Sequence, residues 1–361
     1  MTGPPLLQTV GVSKHFPLTR SIGETLSGRR ARAIHAVDEV SISMEAGETL
    51  GLIGESGSGK TTLGWVVARI HDPTAGRILF EGQDIGKLEG EALRRWRHNV
   101  QVVFQDPVGS LDPRLKVWQI VSEPIRAQRR LPIREVRARV QAILPTVGLP
   151  TYCLDQYPHE FSGGGRQRIS LARALSVDPK LVILDEPTSA LDVAVQAQIL
   201  NRLVSLQRER RIAFVVITHN VAAVRFVADR VAVMYLGQVL EHGPVKEVLE
   251  RPIHPYTKAL LAAVPVPDVS RRKVRYRIGG DIPTLIDPAP GCRFAPRCPF
   301  VKDICRKTDP PLVPASHTTN HLVACLRADD VASISPQELL STAPMGQAPP
   351  APGVTPVVSL S

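Results

Sequence analysis

The chain has 361 residues, 43% of them hydrophobic, which is enough for one large domain with an appendage or for two domains. It contains no apolar run approaching the ~18 residues of a membrane helix. Its opening stretch, MTGPPLLQTV, has neither the basic start nor the apolar centre of a secretory signal, so a cytosolic chain is expected. The net charge of +10 is scattered over arginine-rich stretches at residues 29–32, 94–97, 126–130, 208–211 and 271–277. That distribution reads as solvated faces near lipid headgroups rather than a nucleic-acid footprint. Five cysteines in such a chain argue against a disulfide framework.

In chain order, Val40, Ile42 and Met44 alternate as a strand does, and a Gly/Ser/Arg-rich loop covers residues 20–32. Phe16 stands just ahead of that loop, either as core or as a ring on which an adenine stacks. Residues 48–53 form an apolar strand that runs into Gly54-Glu55-Ser56-Gly57-Ser58-Gly59-Lys60-Thr61-Thr62. This is a complete G-x-x-x-x-G-K-[ST] phosphate loop. Leu63, Val66, Val67 and Ile70 then fall on one face of a helix. A strand, a glycine loop and a helix N-terminus aim several N–H groups at one point, and a polyphosphate fits that geometry. Lys60 is placed to reach the β- and γ-phosphates, and the Thr61 hydroxyl to bind Mg²⁺.

Residues 76–82 read as a glycine-bounded hairpin strand, and the apolar run 100–104 ends at Gln105, in reach of a metal-bound water. From 107 to 157 the pattern is helical but broken by Pro113, Pro124, Pro132, Pro145 and Pro150. Next, Ser162, Gly163 and Gly164 open a helix carrying Ile169, Ala172 and Leu175, making a second anion-binding device. Two such devices have a use if two copies pack head to tail, each completing the other's nucleotide site.

Residues 181–184 make a buried strand that releases Asp185 and Glu186 at its C-terminal end, where ligands sit in open α/β sheets. Asp185 fits a Mg²⁺-holding role, and Glu186 fits that of polarising water for in-line attack. Two unpaired carboxylates there are costly without a cation. Asp192 follows in the next loop. The strand 212–217 ends at Thr218-His219, where a γ-phosphate contact is expected. Residues 231–235 and 238–240 read as a hairpin.

The order of phosphate loop, Gln105, Ser-Gly-Gly signature, Asp185-Glu186, Asp192 and His219 resembles the nucleotide-binding subunit of ABC transporters over about residues 7–250. The resemblance implies an α/β P-loop NTPase of ABC type, with a RecA-like core, an antiparallel β subdomain and a helical subdomain near 107–175. It implies ATP and Mg²⁺ as ligands. Nucleotide contacts would come from Phe16, residues 54–62, Gln105, Ser162, Gly163, Gly164, Asp185 and Asp192. Thr61, Gln105 and Asp185 would hold Mg²⁺, and Glu186, His219 and Gln105 would serve hydrolysis.

Phe104-Gln105-Asp106-Pro107 with Ser110-Leu111-Asp112-Pro113-Arg114, and Tyr157-Pro158-His159-Glu160-Phe161-Ser162, are similar to the dipeptide and oligopeptide import ATPases. His254-Pro255-Tyr256-Thr257 resembles the opening of their C-terminal extension, expected here over 251–330. Nickel importers share much of this pattern. The implied partners are two membrane-spanning permease subunits, a second ATPase that is a paralogue rather than a copy, and an extracytoplasmic substrate-binding protein, with no nucleic acid. The implied location is the cytoplasmic face of the membrane. A soluble ABC ATPase acting on nucleic acid or the ribosome is the competing class. It normally carries a coiled-coil insertion or two cassettes, and this sequence has neither. Gly165 departs from the family pattern, which has glutamine there; turnover several-fold below the family's is the expected consequence.

Cys153 stands alone as a small apolar residue. Cys292, Cys298, Cys305 and Cys325 lie together in a proline-rich region with spacings x5, x6 and x19. They lack the tight C-x₂₋₄-C pairs of structural zinc, and four thiolates on loops suit an iron–sulfur cluster at least as well. Similar spacing in peptide-import ATPases, some with a four-iron, four-sulfur cluster, points the same way; zinc and unmetallated thiols remain as alternatives. Residues 331–361 drift into Ala, Ser, Thr and Pro and read as a disordered tail.

Overall fold

The structure, a computed structural model, describes residues 4–18, 32–106, 109–128, 131–189, 191–263, 283–316 and 319–334. Most of the expected loop 20–32, the arginine stretch 271–277 and the expected tail beyond residue 334 lie outside these residues, as do Pro107 and Ala190.

The chain begins in an antiparallel sheet with β1 (Leu7–Pro17), β2 (Ala33–Val40) and β3 (Ser43–Met44). It leaves for β4 (Thr49–Ile53) and α1 (Lys60–Val67), then returns as the hairpin β5 (Ala75–Phe80) and β6 (Gln83–Asp84). Strand order in this sheet is β2-β1-β5-β6, with β3 beside β1. After α2 (Gly90–Trp96) and β7 (Val100–Val103) come the short helices α3 (Val117–Val121), α4 (Glu123–Gln128) and α5 (Ile133–Ile143). Three 3₁₀ turns between Leu144 and Glu160 lead to α6 (Gly163–Leu175), so prolines break this stretch as expected.

The remainder alternates strand and helix: β8 (Leu181–Asp185), α7 (Val193–Arg210), β9 (Ala213–Ile217), α8 (Val221–Val227), β10 (Arg230–Tyr235), β11 (Gln238–Pro244), α9 (Val245–Glu250) and α10 (Pro255–Ala262). The second sheet runs β10-β4-β9-β8-β7 in parallel, with β11 added antiparallel. Every residue of β4, β8 and β9 is buried. Both faces of a parallel sheet are covered, which is why these segments are continuous apolar runs without polar alternation. Because the strands are parallel, the C-terminal ends of β4, β7, β8 and β9 share one edge. That edge carries Gly54, Gln105, Asp185–Glu186 and His219.

Two departures from the sequence reading have local causes. Val40, Ile42 and Met44 are buried as alternation requires, yet the strand splits, ending at Val40 and resuming at Ser43. Ile70 does not share the buried face of α1. The helix ends at Val67, Arg69 turns the chain at φ +53°, and Ile70 is left 44% exposed. The buried Arg69 guanidinium holds that turn through the carbonyls of Ile85 and Leu88.

The C-terminal extension is joined to the cassette more closely than its loop-rich sequence suggests. Strands β12 (Val313–Pro314) and β13 (Leu322–Val323) continue the large sheet beyond β11. The fully buried Glu241 of β11 accepts the N–H groups of Ile253 (2.8 Å) and His254 (2.9 Å) and lies 2.7 Å from His321 Nε2. Buried Lys258 donates to the carbonyls of Val331, Ala332 and Ile334, at the C-terminus of α11 (Ala328–Ala332), where a cation complements the helix dipole. Cys153 is buried, as expected of a small apolar residue.

His242, also on β11, is buried with Nδ1 3.0 Å from Val231 O and Nε2 2.7 Å from Arg230. Burial, reinforced by the Arg230 charge, pushes its pKa down from 6.5 to about 4. The unfolded chain takes up this proton below pH 6.5 while the native protein does not, so stability present above 6.5 is lost as pH falls towards 4. Denaturant melts across that window should show the decline, and a His242→Gln variant should show a shallower one.

Candidate functional site

The phosphate loop is shaped by two glycines that no other residue can replace. Gly54 and Gly59 have φ of +150° and +99°, and a Cβ on either would lie 2.1 Å from a carbonyl oxygen, of Met234 and Ala36 respectively. The backbones of β10 and β2 therefore press against the loop and fix its curvature. Ser58 N donates to Glu55 O (3.2 Å), and Gly237 N donates to Ser58 O (2.9 Å). Lys60 is buried and turns back into the loop, donating to Gly54 O (2.9 Å), Glu55 O (2.8 Å) and Ser58 Oγ (3.1 Å). Burial pulls its pKa below the usual lysine value, opposed by the charges of Glu186, Asp185 and Glu55.

Asp185 ends β8 with its carboxylate accepting from Thr61 Oγ1 at 3.0 Å. Burial raises its pKa, and the Thr61 bond works against that rise. Glu186 follows in the left-handed region at φ +48°, an uncommon conformation for glutamate that costs on the order of 1 kcal/mol. Its N–H donates to Ile217 O (2.8 Å), so β9 holds the turn. Glu186 Oε1 lies 2.9 Å from His219 Nδ1, while Oε2 is buried with no hydrogen-bond partner. A buried carboxylate oxygen without a partner is costly unless a donor arrives from a ligand. The cradle and the unanswered carboxylates therefore fit a polyphosphate with its Mg²⁺: Lys60 and the loop amides suit the phosphates, and Thr61 and Asp185 are chemically suited to the cation.

The other expected residues are placed unevenly. Phe16 is half-buried near the end of β1, edge-on to His71 at 5.5 Å with Lys14 Nζ 5.1 Å from its ring centroid, so it is not a core residue. Gln105 is exposed beyond β7, and no hydrogen bond joins it to Lys60, Asp185 or Glu186 among the described residues. Ser162 caps α6, accepting from Gly165 N at 3.4 Å, and Asp192 caps α7, accepting from Val195 N at 2.9 Å. Gly164 is buried under Val195, where an added Cβ would fall 2.5 Å from the Val195 side chain; Gly163 beside it is exposed. The α6 and α7 N-termini thus sit together, Gly164 against Val195. At Gly165 a Cβ would meet Phe161 at 3.0 Å, a contact relieved only if the half-buried ring shifts.

Cys292, Cys298, Cys305 and Cys325 all line one small apolar cavity together with His254, Phe294 and Phe300. Burial pushes Cys292 up to about 11 and Cys298 up to about 12, and it raises Cys325, with the neighbouring thiols adding to each. Backbone hydrogen bonds from Phe294 and Ala295 to Cys292, from Phe300 to Cys298 and from Arg327 to Cys325 oppose those shifts. Thiolates are stable there only with a cationic centre among them. Among the described residues no three of these sulfurs lie within 4.8 Å of one another. That is wider than the ~3.8 Å edge of a tetrahedral zinc site with ~2.3 Å bonds.

His15, His35 and Asp38 also gather, with ligand atoms within 4.8 Å. Arg293 already donates to Asp38, and Asp287 Oδ1 receives the N–H of Ala33 (3.2 Å), so this cluster is a seam between the extension and β1–β2. The ties of Arg293, Arg297 and Tyr256 to the cassette escaped the sequence reading; the His254-Pro255-Tyr256-Thr257 segment was their only signal.

A family model described as "ABC transporter" matches residues 37–189, and one described as "Oligopeptide/dipeptide transporter, C-terminal region" matches residues 240–305. A probable peptide ABC transporter ATP-binding protein of Sinorhizobium fredii, y4tS, is 45% identical over 94% of this chain and 95% of its own length. The oligopeptide transport ATP-binding protein AppF of Bacillus subtilis is 44% identical over 89% of this chain and 96% of its own. The ATP-binding cassette MJ0796, solved as a dimer in a post-hydrolysis state with ADP and Pi, superposes with a TM-score of 0.58 at 26% identity, covering 66% of this chain and 98% of that one.

Replacing Gly59 with alanine forces a Cβ into the Ala36 carbonyl at a left-handed φ. Strain of about 1–3 kcal/mol is expected, with nucleotide binding lost in titrations of a fluorescent ATP analogue while the far-UV spectrum stays native.

Proposed function

This chain belongs to the ATP-binding proteins of ABC transporters, in the oligopeptide and dipeptide branch, and from that membership we propose that it is the ATP-hydrolysing energy subunit of a membrane importer for dipeptides or oligopeptides. Its activity is that of an ATPase. Nickel import is the second reading, since that branch shares the motifs.

The observation that carries the mechanism is the divided environment of Glu186: one oxygen against His219, the other buried and unpartnered at the mouth of the phosphate loop. Glu186 takes the proton of a water as it attacks the γ-phosphorus, the bond from that phosphorus to the β,γ-bridging oxygen breaks to release ADP and inorganic phosphate, and His219 holds the carboxylate in orientation. Lys60 leaves its loop carbonyls for the phosphate oxygens, and the loop amides bind the rest of the chain of phosphates. Phe16 offers its ring to the adenine. Thr61, Asp185 and Gln105 would hold Mg²⁺, which would supply charge neutralisation on the phosphates. Ser162, Gly163 and Gly164 of one subunit close on the ATP of its partner, with Ser162 and Asp192 capping adjacent helices at that surface. We assign residues 1–250 to the nucleotide-binding domain, the helical subdomain to about 107–175 and the extension to 251–330; the tail expected from 331 starts later, because Val331 is buried in α11 and Lys258 holds the carbonyls of Val331, Ala332 and Ile334.

No helix among the described residues is long and apolar enough to cross a membrane. Two membrane-spanning subunits, with an extracytoplasmic binding protein feeding them, are the partners of this reading, and the chain works at the cytoplasmic membrane face. A groove of about 610 Å³ beside β7, lined by Ile70, Val102, Phe104 and Pro124 with Arg97 and Glu123 at hand, is the surface we assign to them. It gives a use to the exposure of Ile70. The second ATPase is a paralogue rather than a copy, and Gly165 makes the two nucleotide sites unequal.

The four cysteines fit a metal centre, and we propose a four-iron, four-sulfur cluster in preference to zinc on the spread of the sulfurs. It would supply positive charge beside Cys292, Cys298 and Cys325, whose thiols burial holds in the neutral form. Iron and acid-labile sulfide in anaerobically purified protein would support this, and neither element would remove it. Glu186→Gln should keep ATP binding and lose activity by about 10²–10⁴-fold. Undiminished turnover would take Glu186 out of the role of base.

A further inference from the structure

Glu55, the second residue of the phosphate loop, has all three of its polar groups engaged. Its carbonyl accepts from Lys60 Nζ at 2.8 Å. Its N–H donates to the Tyr256 hydroxyl at 2.8 Å. Its carboxylate receives Arg297 through Nη1 to Oε2 at 2.9 Å and Nη2 to Oε1 at 3.3 Å. The last two partners come from the C-terminal extension, not from the cassette core. Arg297 is only 6% exposed and also donates to the Tyr235 hydroxyl at 3.2 Å. A forked, mostly buried guanidinium–carboxylate pair is among the stronger and more directional polar contacts a protein makes.

Arg297 and Tyr256 are chain neighbours of residues that line the four-cysteine cavity, Cys298 and Pro255. Arg297 ends the 3₁₀ turn Ala295–Arg297 and directly precedes Cys298, so it lies on the short segment between two of the thiols. Tyr256 is the second residue of α10, whose cap His254 lines that cavity. Phe294, another lining residue, packs against Tyr256 at 5.5 Å and against Tyr235 at 5.4 Å between ring centroids. One continuous set of contacts therefore leads from the thiols to the amide and carboxylate of a loop whose shape decides phosphate binding.

We infer that Arg297 and Tyr256 are positioning residues of the phosphate loop, and that filling the four-cysteine cavity strengthens nucleotide binding through them. The second half rests on the metal-centre reading above; the first half does not. With the centre in place the segment 292–298 is fixed at both ends, Arg297 is held, and Glu55 is held in turn. With the centre lost, the guanidinium gains freedom and the loop loses part of its preorganisation. The nucleotide site would then report the state of the cysteines to the transport cycle.

The test is the dissociation constant of a non-hydrolysable fluorescent ATP analogue, measured on the full-length protein purified anaerobically and again after iron is removed by chelation. Arg297→Ala should weaken binding by about tenfold, with kcat within about twofold at saturating ATP, as befits a residue that shapes the ground-state site. Arg297→Lys should recover part of the loss. Iron removal should weaken the wild type several-fold and Arg297→Ala by less, since only the Tyr256 link remains in that variant. An unaltered dissociation constant in a folded Arg297→Ala protein overturns the tether. If that variant does not fold, Tyr256→Phe, which removes one hydroxyl, decides the same question by whether affinity falls. Absence of iron from the purified protein overturns the coupling and the metal reading together, while the Arg297→Ala affinity still judges the tether alone.

Discussion

The nucleotide site depends on one unbalanced set of charges. A buried ammonium, Lys60, stands on a floor that carries the carboxylates of Asp185 and Glu186, with Glu55 nearby. Lys60 satisfies itself on two loop carbonyls and a serine hydroxyl, Asp185 is eased by Thr61, and half of Glu186 is left without a donor. This arrangement is expensive in a folded chain and favours a ligand that brings both signs of charge, a polyphosphate with its cation. Parallel strands make the arrangement possible, because they deliver four strand ends to one edge.

The antiparallel sheet and the extension do different work around that edge. The small sheet supplies the Ala36 carbonyl, which forces glycine at position 59, and the half-buried ring of Phe16. The extension prolongs the large sheet by two short strands and is anchored on buried Glu241 and Lys258. Through Tyr256 and Arg297 it also reaches the phosphate loop itself. An appendage that looks detachable from its composition is thus continuous with the catalytic half of the molecule.

How much of this the sequence revealed varies with the range of the interaction. The phosphate loop was legible because glycine at positive φ, lysine and threonine are required by local geometry. The buried strands were legible because burial on both faces leaves no room for polar residues. Ile70 misled because helical spacing says nothing about the left-handed turn at Arg69, which distant carbonyls of Ile85 and Leu88 hold in place. The four cysteines were visible as a group, but their meeting in one cavity depends on chain paths that spacing does not encode. The bond between Glu55 and Arg297 joins positions far apart in the chain, and neither residue type nor spacing announces it. Gln105, chosen for its place at the end of a strand, lies exposed on the shared edge and, among the described residues, has no hydrogen bond to the carboxylates.

The central claim is that this chain drives transport through partners that span the membrane. Gentle detergent extraction of the tagged protein from its native membranes, followed by mass spectrometry of what co-elutes, tests it most directly. Two multi-spanning subunits should co-elute together with a second, different ATPase. Recovery of the chain alone in the soluble fraction, or with ribosomes or DNA, would contradict it.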